Sequence, residues 1–165
     1  GARLVALRGG IRGAGPPELA GVPAREWPQA CSLLSKHDVP RGYVPEPTTT
    51  HVEGVRLPAG CTYRLRHQKR RASDGPERDA ATLSVTVQWV AADANTASAL
   101  FWAARDTQSS VRDPVRAGDA AYGLGAPSGT VVMRVGRTIV TVTGGLPNMP
   151  THLATLIAAR LRATT

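Results

Sequence analysis

The sequence contains few aromatic residues, and this shortage limits what the protein can bind. Seven of its 165 residues are aromatic, namely three Trp, three Tyr and one Phe. Few rings are therefore present to stack on bases or sugars, so a stacking-type binding site is disfavoured and aliphatic side chains must fill the core. The chain also lacks any run of the roughly 18 to 20 apolar residues that a membrane-spanning helix requires.

Cysteine is nearly absent, which argues against most metal sites. Cys31 and Cys61 are the two cysteines, and two thiols without a histidine at motif spacing do not complete a four-ligand zinc site. We therefore predict no metal site and no cofactor. A disulfide between them is the preferred interpretation, since closing a loop of about 30 residues would stabilise the fold by roughly 3 to 4 kcal/mol in the chain-entropy account. It would indicate export to an oxidising compartment; two reduced, buried thiols in a cytosolic protein are the alternative.

Recognisable catalytic motifs are also missing. The sequence has no Gly-x-Ser-x-Gly elbow, its glycine-rich pieces lack the Lys-Ser/Thr pair of a P-loop, and its four histidines fall in unrelated contexts. Asp38 beside His37, and Asp119 ahead of Ala120, are candidate site residues, but we interpret both carboxylates as cap and turn residues. We therefore predict that the protein is not an enzyme and assign no catalytic residues. A secreted hydrolase with an unrecognised active site is the alternative.

Positive charge is plentiful and comes almost entirely from arginine. The formal net charge is +8, the isoelectric point is near 10.7, and Lys36 and Lys69 are the two lysines. Such a charge favours an anionic partner, such as nucleic acid, a membrane surface or a cell-wall polymer. A genome rich in G and C also enriches Arg, Ala, Gly and Pro together, which explains the same composition without any partner.

The densest basic cluster lies between residues 64 and 71. Its candidate anion-binding residues are Arg64, Arg66, Lys69, Arg70 and Arg71. Phosphate contacts there would add salt-dependent affinity. The cluster has no interleaved aromatic residues and belongs to no recognisable nucleic-acid module. We therefore expect no specific nucleic-acid binding, and a basic anion-binding domain is a second alternative function.

Residue periodicity predicts the fold class. Two β-branched runs, at 130–135 and 138–143, are separated only by Gly136 and Arg137, which predicts a β-hairpin. Strands are predicted at 61–66 and 82–90 from alternating apolar and polar residues, and helices at 93–105 and 150–162 from helical spacing. We expect an α+β fold, a curved antiparallel β-sheet with two or three helices packed on one face.

The remaining segments are predicted to be less regular. Residues 28–34 are expected to form a short helix and Ser35 to Asp38 a capping-box turn. Loops are predicted at 40–58, which contain four prolines, at 67–80 and at 107–118.

The chain is predicted to contain one domain, at residues 25–165, after a linker or terminal strand at residues 1–24. The segment from Leu4 to Ile11 resembles the segment from Ile139 to Leu146, with Gly-Gly in the same place. We interpret the first segment as the tail of a preceding copy of the domain, or as an equivalent edge strand. Chance similarity between two valine-rich runs is the alternative.

The order of several short motifs resembles a known group of proteins. The motifs are Ala30-Cys-Ser-Leu-Leu34, Cys61-Thr-Tyr63, Ala99-Leu-Phe101, Ala117-Gly-Asp-Ala-Ala-Tyr122, a Val-Met-Arg-Val-Gly hairpin and a closing Leu-Ala-x-Leu helix. Together, over about residues 27–162, they resemble the small actinobacterial cell-envelope lipoproteins of unknown function and related kinase sensor domains, which have a Mog1/PsbP-like arrangement.

The resemblance implies an extracytoplasmic protein, secreted or anchored to the outer face of the cell membrane, with a disulfide between Cys31 and Cys61. It implies a non-catalytic role in binding, sensing or interaction, with an unknown small ligand or an envelope protein as partner. The chain lacks the lipid-modified cysteine of that group, so any membrane association is expected through a segment outside this chain. We expect the site in a groove between sheet and helix, or in the loops at 40–58 and 67–80.

Overall fold

The computed structural model describes residues 21–23, 26–52, 55–65, 82–108, 111–125, 129–144 and 148–164. Seven strands form one antiparallel sheet in the order β1-β2-β3-β7-β6-β5-β4. The strands are β1 (Tyr43–Val52), β2 (Val55–Leu65), β3 (Leu83–Val90), β4 (Val111–Pro114), β5 (Ala120–Leu124), β6 (Thr130–Val135) and β7 (Thr138–Gly144). Two helices, α1 (Ala94–Asp106) and α2 (Met149–Ala163), pack on this sheet. The predicted α+β class is therefore confirmed.

The predicted hairpin is the pair β6 and β7, with Gly136 and Arg137 as its turn. Gly136 has a φ of 57°, a left-handed conformation that glycine adopts without steric cost. α1 begins where the sequence predicts, because the side chain of Asp93 accepts a hydrogen bond from the backbone N–H of Thr96 at 2.7 Å. Both features depend on local chemistry, which explains why they are visible in the sequence.

One face of the sheet is closed by α2 and holds the main core. Successive strand residues point to opposite faces, and Val85, Val131, Met133, Val140 and Val142 point to this one. They pack with a buried stripe of α2 made of Leu153, Ala154, Ile157, Ala158 and Leu161. We call this the closed face.

Among the elements that the structure describes, α1 covers part of the opposite face. Phe101 of α1 packs against Tyr122 of β5, with ring centroids 5.1 Å apart, and Ile139 of β7 completes this second, smaller cluster. Thr86 and Thr141 also belong to this face, because they flank Val85, Val87, Val140 and Val142 along the strands. We call this the open face.

The prediction that the helices pack on one face is not confirmed, because α1 and α2 lie against opposite faces of the sheet. The reason lies in β7, where the adjacent residues Ile139 and Val140 are both buried. A strand buried on both sides is a continuous apolar run that does not reveal which helix covers which side.

The predicted loop at 40–58 is wrong, since most of it forms β1 and the start of β2. Proline disfavours a strand because it has no N–H for the ladder, but an edge strand tolerates it where the N–H would face outward. The N–H of Tyr43 bonds to the carbonyl of Pro40 instead of β2. Pro45 and Pro47 follow in steps of two, so their missing donors fall on that same outward side.

Smaller corrections concern three other segments. The predicted loop at 107–118 includes strand β4, and the predicted helix at 28–34 is a single 3₁₀ turn, Ala30–Ser32. At the N-terminal side, Gly21 forms an isolated bridge with Ala91. Residues 1–20 and the predicted loop at 67–80 lie outside the described residues. The linker, repeat and edge-strand interpretations of the N-terminal segment therefore stay predictions.

Candidate ligand-binding groove

An open groove of about 480 Å³ lies between α1 and the open face. Eleven of the described residues line it: Gln88, Trp89, Leu100, Ala104, Gln108, Tyr122, Leu124, Thr130, Val132, Ile139 and Thr141. They come from β3, from α1 and the turn after it, and from the three strands β5, β6 and β7. The volume lies within the range of about 300 to 1,000 Å³ that small-molecule sites occupy.

Helix and sheet periodicities bring these residues together. Leu100 and Ala104 are four residues apart and therefore form one wall along α1, and Gln108 extends it from the turn that follows the helix. On the sheet, Tyr122 pairs with Val132, which pairs with Thr141, so these three side chains form one row across β5, β6 and β7. The groove consequently has one helical wall and a floor of neighbouring strand residues.

The groove is apolar with neutral hydrogen-bonding groups. None of its eleven lining residues is Asp, Glu, Lys, Arg or His, and its polar groups are amides, hydroxyls and an indole. Burial raises the pKa of the Tyr122 hydroxyl, and the positive charge of Arg105 only partly offsets this effect. The groove therefore offers hydrogen bonds without a group that exchanges a proton near neutral pH.

Trp89, one of the lining residues, has an unusual indole. Its Nε1 is buried and has no hydrogen-bond partner among the described residues, whereas buried polar groups in proteins are paired in most cases. The ring of Trp89 makes an edge contact with the ring of Trp27, with centroids 5.5 Å apart. Trp27 differs in having its own indole N–H bonded to the carbonyl of Val22 at 2.6 Å.

The groove is the kind of site that the sequence predicts between sheet and helix, although binding in it stays a prediction. Sequence reasoning did not find its residues, because they come from five elements whose arrangement depends on which face α1 covers. The alternative location at 40–58 consists largely of paired strand, and the alternative at 67–80 lies outside the described residues.

The candidate anion-binding cluster is described only at Arg64. Arg64 is an exposed residue of β2 and lies opposite Val44 of β1. Arg66, Lys69, Arg70 and Arg71 lie outside the described residues, so anion binding there stays a prediction.

Asp119 acts as a turn residue, as the sequence suggests, but its partners are more extensive. Its Oδ2 accepts the backbone N–H of Gly136 at 2.6 Å, which ties it to the β6–β7 turn. Arg134 lies 3.5 Å away and Arg162 of α2 lies 3.2 Å away. The hydrogen bond from Gly136, and then the two arginines, lower the pKa of Asp119 despite its partial burial.

Asp38 is similarly occupied. Burial of its carboxyl group opposes ionisation, but hydrogen bonds from Ser35 and from Arg160 outweigh it and lower the pKa of Asp38. Arg160 lies 2.6 Å from this carboxylate and also donates to the carbonyl of Leu33 at 2.7 Å. Both carboxylates therefore hold the last turns of α2 in place.

The predicted disulfide is confirmed. Cys31 and Cys61 are bonded with an S–S distance of 2.06 Å. Cys61 is almost completely buried on the closed face, in the row of Val85 and Val142. The bond therefore attaches the 3₁₀ turn to the main core, away from the groove.

A second cavity, of about 550 Å³, lies at the end of the closed face near the C-terminus of α2. Charged residues of both signs line it, including Glu26, Arg137 and Arg160. Since Arg160 is paired with Asp38, the charges do not favour an anion. We assign no ligand to this cavity.

The described residues contain no cluster of three or more His, Cys, Asp or Glu side chains that could hold a metal ion. No helix among them is long and apolar enough to span a bilayer.

Comparisons with known proteins returned no matching family model, no similar curated protein and no similar solved structure. The groove must therefore be interpreted from its own chemistry.

Proposed function

We propose that this chain is a non-catalytic, extracytoplasmic binding domain of an actinobacterial cell-envelope protein, and that the groove between α1 and the open face holds its ligand. The observation that carries the proposal is the lining of the groove, whose described residues are mainly apolar and include no Asp, Glu, Lys, Arg or His. A small molecule or an acyl chain of an envelope component fits this description better than a nucleic acid.

The lining favours binding over catalysis. General acid–base catalysis works best with a group whose pKa lies near the working pH. Tyr122, the titratable residue of the groove, has its pKa raised by burial and moves away from that range. A hydrolase would need a nucleophile with an adjacent base, and the threonine hydroxyls of the groove have no such base among its lining residues.

The lining also limits the charge of whatever enters. An ion that leaves water for an apolar site loses its hydration and needs an opposite charge in return. The walls formed by Leu100, Leu124, Val132 and Ile139 provide apolar contact but no such charge. The part of the ligand inside the groove is therefore apolar and uncharged.

The disulfide supports an extracytoplasmic location. Both cysteines of the chain are used in it, and such bonds persist in oxidising compartments. Motif order supports an actinobacterial envelope protein or a sensor domain, with membrane attachment, where present, through a segment outside this chain.

The test is to fill the groove from its helical wall. Ala104 is exposed and lines the groove, whereas Ala103 is exposed and does not. Ala104→Trp should weaken binding of N-phenylnaphthylamine, a neutral apolar fluorescent probe, at least about tenfold, because the indole occupies the groove. Ala103→Trp is the matched control and should bind the probe as the unchanged chain does. Equal binding by both variants, or no binding by the unchanged chain, would contradict the proposal.

A further inference from the structure

A row of side-chain hydroxyls crosses the open face beside the groove. Thr62 of β2 pairs with Ser84 of β3, Ser84 pairs with Thr143 of β7, and Thr143 pairs with Thr130 of β6. The Oγ1 of Thr62 lies 3.4 Å from the Oγ of Ser84, and the Oγ1 of Thr130 donates to that of Thr143 at 3.3 Å. With strands about 4.8 Å apart, four such residues span roughly 14 Å.

A second, shorter row lies beside the first. Thr86 of β3 pairs with Thr141 of β7, and each is two residues from a member of the first row, so both rows point to the same face. Thr130 and Thr141 also line the groove. The hydroxyl rows therefore continue the floor of the groove outward over β7, β3 and β2.

The six hydroxyl residues carry no charge, and five of them are at least partly exposed, whereas Thr62 at the β2 end is buried. Threonine suits half-buried strand positions, which explains one such residue but not a group of adjacent ones in a chain with 20 basic and 12 acidic residues. Charged residues flank the rows at their β1 end, where Glu46 pairs with Thr62 and Arg64 lies two residues further along β2. Since these two charges have opposite signs, they give no preference for an ionic ligand.

We propose that the ligand is an amphiphile with an apolar chain in the groove and an uncharged, hydroxyl-bearing head group on the hydroxyl rows. This proposal rests on the proposed function, in which the groove is the ligand site. A hydroxyl both donates and accepts hydrogen bonds, so rows of hydroxyls suit a head group that carries several. An ionic head group gains no counter-charge on these rows and must give up part of its hydration.

The test compares molecules that share one chain and differ in head group. Octyl glucoside, octyl sulfate, octyltrimethylammonium and octanol would each compete against N-phenylnaphthylamine on the full chain, below their critical micelle concentrations. Octyl glucoside should bind about tenfold more tightly than octanol and than either ionic compound, because two or more extra hydrogen bonds are worth a factor of that size.

The variant Thr86→Val/Thr143→Val removes two hydroxyls of the rows that do not line the groove, and it keeps the branched shape that strands favour. Octyl glucoside should then bind only as tightly as octanol, while binding of octanol is unchanged. Thr155→Val is the control, since Thr155 is exposed on α2, on the other side of the sheet.

Each outcome has a defined meaning. An unchanged preference for octyl glucoside in the double variant, or tightest binding of an ionic compound, would overturn the head-group proposal but leave the groove as the site. Failure of octanol and of the fluorescent probe to bind the unchanged chain would overturn both.

Discussion

The two faces of the sheet have different chemistry although they share the same strands. The closed face is a dry aliphatic core in which Val85, Val140 and Val142 are fully buried against α2. The open face carries threonines and a small cluster under α1, and it leaves a groove. The comparison indicates that the closed face supplies most of the stability, and the open face is the surface that we propose for binding.

The disulfide and the ion pairs at the end of α2 also differ between the two faces, since they hold elements of the closed face. The disulfide joins the closed face to the 3₁₀ turn, and Asp38 and Asp119 pair with Arg160 and Arg162 at the end of α2. α1 is held mainly by Phe101 and its contacts with Tyr122 and Ile139. The comparison can be tested by changing each face in turn.

The largest effect is expected from a truncation in the closed face. Leu153→Ala removes a side chain of α2 that is 1% exposed, and the cavity should lower the free energy of unfolding by about 2 to 5 kcal/mol. On the open face, Thr141→Val should change it by less than about 0.5 kcal/mol. Urea unfolding of both variants measures the difference, and equal losses would contradict the division of roles.

A somewhat smaller loss is expected when the disulfide is removed. The bond closes a loop with a sequence separation of 30, so the variant Cys31→Ala/Cys61→Ala should lose about 2 to 4 kcal/mol. Binding of the apolar probe should persist in buffer without denaturant, because the bond lies away from the groove. Loss of probe binding in a variant that is still folded would show that the two faces are not independent.

Acid should lower the free energy of unfolding through Asp38 and Asp119, the two carboxylates that hold the end of α2. The folded-state pKa values of Asp38 and Asp119 are lowered, so their contribution is present above the unfolded-state pKa, about 3.9. It is lost as the pH falls below about 4, because the unfolded state takes up the protons first.

The measurement is the unfolding free energy between about pH 3 and pH 6, which covers about one unit below that pKa and about two units above it. Asp38→Asn and Asp119→Asn should each flatten the pH dependence. An unchanged or steeper slope in either variant would contradict the assignment.

Local signals in the sequence predict the hairpin of β6 and β7, the two helices and the disulfide. The sequence does not predict β1, because Pro45 and Pro47 disfavour a strand except where their missing N–H groups would face outward from an edge. Only the complete sheet shows that β1 is an edge strand. The sequence does not predict which face of the sheet α1 covers. Ile139 and Val140 are both apolar, so the apolar pattern of β7 does not assign a face to either helix.

The site is less predictable than the fold. A groove between sheet and helix follows from the fold class, but its residues range from Gln88 to Thr141 along the chain. The pair Arg160 and Asp38 likewise joins residues that are distant in sequence, and local arguments explain Arg160 only as a complement to the helix end. Tertiary contacts of this kind depend on the three-dimensional arrangement, which periodicity does not contain.

The most direct test of the binding role is a titration of the ¹⁵N-labelled protein with octanol, followed by amide chemical shifts. The groove predicts saturable shifts at Gln88, Leu100, Gln108 and Thr141, with the amides of α2 unchanged. Shifts concentrated on α2, or no saturable shifts at all, would contradict the assignment of the open face as the binding surface.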